Sequence, residues 1–324
     1  MRAKHLYADK PEDLAQAAAL LDAGGLVAFG TETVYGLGAD AFNARAVARV
    51  FEAKGRPSFD PLIVHLAEAS ELKRVALDPQ GLAQGLAQRF WPGPLTLVLP
   101  KGPSVPDIVC AGLATVGVRV PESPAARALL AACKNPIAAP SANLFGRVSP
   151  TTAQHVLEQM DGRIDAVLDA GPCRVGLESS ILSLVQRPPA LLRPGAVTLE
   201  MLTQALGQVI LADGPQAKPQ APGQLDRHYA TRTPLSLVAQ DPGFVPPLGQ
   251  RAGLLCLAPP SAPQRFEAVA LLAVDGGLEE AAANLFACLR SLDELGLDHI
   301  YAQSVPEQGL GLAIMNRLKR AAAR

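Results

Sequence analysis

The sequence predicts an α/β protein: a mixed, twisted sheet with flanking helices, followed by a smaller α/β unit. Three observations carry this. Apolar runs of strand length recur at residues 26–29, 62–66, 95–99, 115–120, 136–139, 165–169 and 181–185, most of them bounded by Gly or Pro. Helical patterns separate only some of these runs, which favours a mixed sheet over an uninterrupted βαβ series. Around residues 212–233 the texture changes: Pro215, Pro219 and Pro222 come with Gln, Lys and Gly and no apolar period, which marks a linker. The expected division is 1–211, 212–233 and 234–324.

Each element has its own signal. A helix is expected over 11–21, with Pro11 at its start, Glu12 and Asp13 in its first turn, and Gly24-Gly25 stopping it. After the strand at 26–29, residues 31–38 read as a loop of hydroxyls, a carboxylate and a phenol between glycines. Asn43 caps the next helix, whose Val47, Val50 and Phe51 form an apolar stripe and whose end delivers Lys54 and Arg56. A helix over 82–90 and the turn Trp91-Pro92-Gly93-Pro94 lead into the strand at 95–99. In the strand at 115–120, Arg119 faces opposite to Val118 and Val120, towards solvent or into a cleft. A helix near 124–133 precedes the strand that ends in Ser141 and Asn143, and Ser149-Pro150-Thr151-Thr152 starts another helix. Gly176-Leu177-Glu178-Ser179-Ser180 leads into the strand at 181–185, and Thr198 caps a helix over 199–206. In the second unit, strands are expected at 235–239, 253–258 and 299–304, with helices at 279–292 and from about 311. The cations of Arg317-Leu318-Lys319-Arg320 read as a solvated helix end.

Composition narrows the function. The chain has 324 residues, 49% hydrophobic and 18% charged, so it is globular, and its net charge of −1 gives no general affinity for nucleic acid or an anionic membrane. Any polyanion site, including one for weak RNA binding, must be a local patch. The five cysteines are widely spaced with no Cys-x-x-Cys pair, which excludes a zinc ribbon and a dithiol motif and fits a reducing cytoplasm. No signal peptide or membrane span is expected, because the apolar runs are only strand-length. There is no P-loop, no Gly-x-Gly-x-x-Gly, no Gly-x-Ser-x-Gly and no His-Glu-x-x-His.

What remains is an inventory of orienting groups. Lys54 and Arg56 flank Gly55 in a turn that suits polyphosphate, although two cations can also simply cap a helix dipole. His65 inside a strand is a core residue or a ligand. Hydroxyls at Thr31, Thr33, Thr115, Ser141, Ser149 and Ser179 sit at strand ends and turns, and Arg193 precedes Pro194-Gly195. This suits a nucleotide triphosphate and a small polar partner, and it supplies no covalent nucleophile.

The blocks Thr31-Glu32-Thr33-Val34-Tyr35-Gly36-Leu37, Lys54-x-Arg56, Pro61-Leu62-Ile63-Val64-His65, Trp91-Pro92-Gly93-Pro94-Leu95-Thr96, Ala139-Pro140-Ser141-Ala142-Asn143 and Leu191-Leu192-Arg193-Pro194-Gly195 resemble the YrdC-like threonylcarbamoyl-AMP synthases. His228-Tyr229 and Gly311-Leu312-Ala313-Ile314-Met315-Asn316-Arg317 resemble the longer, two-domain branch. The resemblance implies a YrdC-like sheet followed by a smaller Rossmann-like domain. It implies a cytoplasmic nucleotidyltransferase that converts L-threonine, bicarbonate or CO2 and ATP, with Mg2+, to threonylcarbamoyl-adenylate and pyrophosphate. The product would pass to a tRNA threonylcarbamoyl transferase complex for modification of adenosine 37 in tRNAs reading ANN codons. By the same resemblance Lys54 and Arg56 are the catalytic cations; Asp60, Thr115, Ser141, Asn143, Ser149 and Arg193 join them around ATP; and Thr33, His65, Arg119, Ala139 and Ser179 surround threonine. No metal ligand is identified, and the role of Glu32 is open. Asp60 stands where the family usually has Asn, and Asp226 and Thr231 depart from its linker pattern. Rival readings are a transferase of the same fold acting on another amine, and a non-catalytic RNA-binding module.

Overall fold

The computed structural model describes residues 2–212, 220–224, 228–239 and 244–323. Pro215, Pro219 and Asp226 of the linker lie outside the described residues. The chain begins β1 (Lys4–Tyr7), α1 (Pro11–Asp22), β2 (Val27–Gly30), β3 (Tyr35–Asp40), α2 (Ala44–Lys54), β4 (Ile63–His65), α3 (Leu82–Phe90), β5 (Leu95–Pro100) and β6 (Thr115–Arg119). It continues through α4 (Pro124–Ala132), β7 (Ile137–Ala139), α5 (Ala153–Met160), β8 (Ala166–Asp169), β9 (Ser180–Ser183), β10 (Ala190–Arg193), α6 (Leu199–Leu206) and β11 (Ile210–Leu211). After the linker come β12 (Leu235–Val238), β13 (Ala252–Cys256), β14 (Ala268–Leu271), α7 (Leu278–Glu294), β15 (His299–Gln303) and α8 (Leu310–Ala322).

Two sheets result. The first is mixed, in the order β1-β8-β2-β3-β7-β4-β6-β5-β9-β10-β11. The second, β12-β15-β13-β14, is parallel throughout. The mixed α/β architecture is therefore as the sequence predicts. Several starts agree as well: Asn43 Oδ1 accepts from the backbone N–H of Arg45 and Ala46, and Thr198 caps α6. No helix among the described residues is long and apolar enough to cross a membrane.

Three expectations are corrected. The loop read over residues 31–38 is half strand, since Tyr35 onwards forms β3 against β2. Its glycines serve close packing: a Cβ on Gly38 would lie 2.9 Å from Ile137 Cγ2 and 3.0 Å from Phe29 Cε1. The helix expected from Ser149-Pro150 begins only at Ala153, with Thr152 as its cap. β1, β10, β11 and β14 are short strands that the sequence reading omits.

One face of the first sheet carries α2, α3 and α5 over the main core, which includes Val47, Val50, Leu86, Val156 and Met160. The other face is shared. α1 and α4 cover its β1–β2 end through Leu21 and Leu129, while a small cluster of Ile63, Val98, Ile181 and Leu192 meets Ala221 of the linker. Between these two patches lie the buried polar side chains of His65 and Arg119.

Candidate active site

Register explains which side chains meet. β4 pairs with β6 as Ile63↔Gly117 and His65↔Arg119, and with β7 as Ile63↔Ala139. Directly opposed residues share a face, so His65, Arg119 and Ala139 emerge together. They line one cavity with Thr33, Arg56, Ser141, Ser179 and Arg193, and with Pro222, Gly223 and His228 from the linker. Eight residues predicted from widely separated blocks are thus gathered in one place. Arg119 points into the cleft, and the solvent alternative is excluded by its 3% exposure.

The cations are held from behind. α2 ends with Gly55 in the left-handed region at φ 62°, which swings the chain so that Lys54 and Arg56 follow different paths. Lys54 is buried and its Nζ donates to the carbonyl oxygens of Ser141 and Asn143, tying the end of α2 to the loop after β7. Burial and the neighbouring Arg56 hold its ammonium well below the usual lysine range. Arg56 Nε donates to Asp60 O at 3.0 Å and Nη2 to Pro61 O at 2.9 Å, which leaves Nη1 for a ligand. The reading of these two cations as caps of a helix dipole does not fit, because both are buried and Lys54 donates to the loop after β7.

Asp60 sits 2.9 Å from Arg56 Nη2, although neither carboxylate oxygen has a well-aligned hydrogen bond. Burial raises its pKa, and Arg56 and Lys54 oppose the rise. The negative charge that stood out in the sequence is therefore faced by a cation. Asn143 lies behind the cavity, with Nδ2 donating to Leu144 O and Arg147 O.

Arg119 has a partner that the sequence left open. Its Nη2 pairs with Glu32 Oε1 at 2.5 Å, Nη1 donates to Thr33 Oγ1 at 2.9 Å, and Nε donates to Gly93 O at 3.2 Å. Burial works against the Glu32 charge, but Arg119 outweighs it and its carboxyl stays below the usual range. His65 Nδ1 donates to Ile63 O, and burial followed by the charge of Arg119 pushes its pKa down to about 3. The neutral ring leaves Nε2 as an acceptor.

Arg193 Nε donates to Ser179 O at 3.0 Å, Nη2 to Ser179 Oγ at 3.2 Å, and Nη1 to Pro222 O at 3.2 Å. It joins strand β10, the loop before β9 and the linker. Thr231, also in the linker, donates to Thr233 O. Thr115 stands apart from the cavity: it lines a small adjoining pocket with Thr96, Gly117 and Pro222, behind Ile63.

Ser149 is fully buried and donates to Glu178 Oε1 at 2.5 Å. Glu178 itself lines the cavity, and Arg317 reaches its other oxygen from α8, with Nε to Oε2 at 3.0 Å. The expectation of a solvated helix end at Arg317 is thus overturned, because it has no exposed surface. A signal for it exists in the sequence: Ala313, Ile314, Arg317, Leu318 and Ala321 fall on one helical stripe, and all are buried. Glu178 offered a weaker one, a carboxylate wedged between Leu177 and a strand. Among the described residues no cluster of three or more His, Cys, Asp or Glu side chains could hold a metal ion.

Comparison with known proteins matches residues 19–195 to a family described as "Telomere recombination", and residues 197–323 to "Threonylcarbamoyl-AMP synthase, C-terminal domain". The chain is 43% identical to the threonylcarbamoyl-AMP synthase of Bacillus subtilis, over 99% of this chain and 98% of that one. It is 42% identical to that of Pyrococcus abyssi, over 94% and 92% of the two chains. A solved structure of P. abyssi Sua5 complexed with L-threonine superposes with a TM-score of 0.91 at 39% identity, covering 99% of this chain and 97% of that one.

Proposed function

Because the chain belongs to the threonylcarbamoyl-AMP synthase family, we propose that it converts L-threonine, bicarbonate or CO2 and ATP to L-threonylcarbamoyladenylate and pyrophosphate. The observation that carries this reading is the convergence of the buried side chains of Arg56, Arg119 and Arg193 with the hydroxyls of Thr33 and Ser179 on one cavity. Three guanidinium groups around one cavity suit a triphosphate and a carboxylate.

In this mechanism the threonine amine adds to CO2, and the carbamate oxygen attacks the α-phosphorus as pyrophosphate leaves. The substrates bring the nucleophile, so the protein's work is alignment and charge stabilisation. Arg56, through its free Nη1, and Arg193 meet the phosphates. Lys54 fixes the loop that carries Ser141 and Asn143. Thr33, His65, Ala139 and Ser179 surround threonine, with Arg119 offering its carboxylate the two N–H donors that Glu32, Thr33 and Gly93 leave over. Ser149 acts through Glu178, and Thr115 marks the outer end of the nucleotide site. Mg2+ enters as part of the Mg–ATP substrate, held by phosphate oxygens and water. We place the protein in the cytoplasm, in keeping with its five free cysteines, and assign its product to N6-threonylcarbamoyladenosine formation at position 37 of tRNAs reading ANN codons, through a downstream transferase complex. The working division remains 1–211, 212–233 and 234–324.

Pyrophosphate release from Mg–ATP, with and without L-threonine and bicarbonate, tests the reading. Release should need both co-substrates and fall roughly 100- to 1,000-fold in Arg56→Ala. Equal release with other amino acids would remove the threonine assignment. No release from folded protein, alongside micromolar RNA binding, would favour a binding module.

A further inference from the structure

Glu178 is the one carboxylate among the described residues that line the cavity. A negative charge there is a cost for triphosphate binding unless it has another task. Its surroundings show how tightly it is fixed. Ser149 Oγ donates to Oε1, and Arg317 donates from Nε to Oε2 and from Nη2 to the Glu178 backbone oxygen at 3.4 Å. Arg317 is locked in turn by Nη1 donating to Pro194 O at 2.6 Å, and by the Tyr229 ring, whose centre is 5.6 Å from its Cζ. A carboxylate with two donors still has lone pairs to spare, and it can use them only towards a donor.

We propose that Arg317 is a positioning residue of this site, reaching from α8 to present the Glu178 carboxylate as the acceptor for a hydroxyl or amine of the substrate. The inference rests on the synthase reading. That chemistry fits either the ribose hydroxyls of ATP or the amine and hydroxyl of the amino acid. It also makes the second unit part of the site.

The groups around Glu178 are Arg317 of α8, Arg193 of β10, Ser149, and His228 and Tyr229 of the linker, with Arg320 of α8 facing Tyr229. Burial holds His228 neutral, with a pKa near 3, and raises Tyr229 above its ordinary value. Between about pH 6 and pH 9 neither ring titrates. In the absence of Arg317, burial pulls the Glu178 carboxyl upward, and the acceptor is lost on the acid side.

Steady-state pyrophosphate release tests this, and turnover by the wild type decides the synthase reading separately. Arg317→Met should raise KM for one substrate severalfold, and more near pH 6 than near pH 9, because burial then opposes the Glu178 charge. The wild type should not show this acid-side rise in KM, and Arg317→Lys should remove most of it. A rise in KM for ATP assigns the ribose hydroxyls, and a rise for threonine assigns its amine or hydroxyl. An unchanged KM at every pH, or a loss that does not vary with pH, overturns the proposal. If Arg317→Met does not fold, Ser149→Ala removes the other donor and carries the test lower on the pH scale, where Arg317 still acts: its KM should rise as the pH falls towards about 4 while that of the wild type holds, and no difference between the two there overturns the proposal.

Discussion

At the scale of the residue, three buried carboxylates each face a guanidinium. Asp60 faces Arg56, Glu32 faces Arg119, and Glu178 faces Arg317. Such pairs cost much to break and contribute little beyond their own desolvation, so their value lies in fixing geometry. Asp60 is the exception, since the guanidinium it faces is held chiefly by two backbone carbonyls. Asp60→Asn should leave Arg56 in place, keep the enzyme active and lower KM for ATP roughly three- to tenfold by removing a repulsive charge. Glu178 behaves differently in acid. Burial opposes its charge, but Arg317, Arg193 and Ser149 outweigh it and hold the carboxyl at about 2, against an ordinary 4.5. A carboxyl depressed in the fold stabilises above its unfolded value and loses that contribution as pH falls through its folded one. Thermal unfolding followed from about pH 5 to pH 2 should show this loss, and in Ser149→Ala the loss should be smaller and complete at higher pH.

At the scale of the element, two substitutions separate capping from packing. Asn43→Ala removes the cap of α2 and should cost about 1 kcal/mol in denaturant unfolding. Gly38→Ala puts a methyl against Ile137 and Phe29 and should cost roughly 1–3 kcal/mol. The same glycines explain what the sequence hid. Asn43, Gly55 and Thr198 act locally, so their effects were legible. Gly36 and Gly38 suggested a loop because the reason for them lies in neighbouring strands. The cations at 54 and 56 announced a site, and strand alternation raised Arg119 as a candidate. The partners Glu32, Glu178 and Arg317 could not be matched from order alone, since nothing local joins Glu178 to a helix 139 positions away. The linker belongs to this scale as well. Pro222, Gly223 and His228 already line the cavity, so ATP with threonine should slow protease cleavage within 212–233 severalfold. A cleavage rate indifferent to both substrates would argue against a covering role.

At the scale of the whole molecule, loops of the first unit share a core with the second. Val34, Val148 and Leu177 from the first pack with Leu285, Phe286 and Leu289 of α7 and with Tyr229 of the linker. The approach is close enough to involve backbone: a Cβ on Gly176 would stand 2.4 Å from Ala283 O. Gly176, at φ 71°, also has a left-handed backbone that disfavours any other residue. Gly176→Ala should therefore push α7 away from the loop carrying Glu178 and lower both the unfolding midpoint and turnover. A variant with wild-type values in both measurements would show that the junction yields without consequence.

The contact between Glu178 and Arg317 also sets a schedule. A ribosome adds roughly 5–20 residues per second, so the 139 positions between these partners take roughly 7–30 s to make. During that interval the larger sheet can form while Glu178 lacks the guanidinium that fixes it. The nascent chain thus passes through a stage in which it is folded in large part and chemically incomplete, and α8 arrives as the piece that ends it.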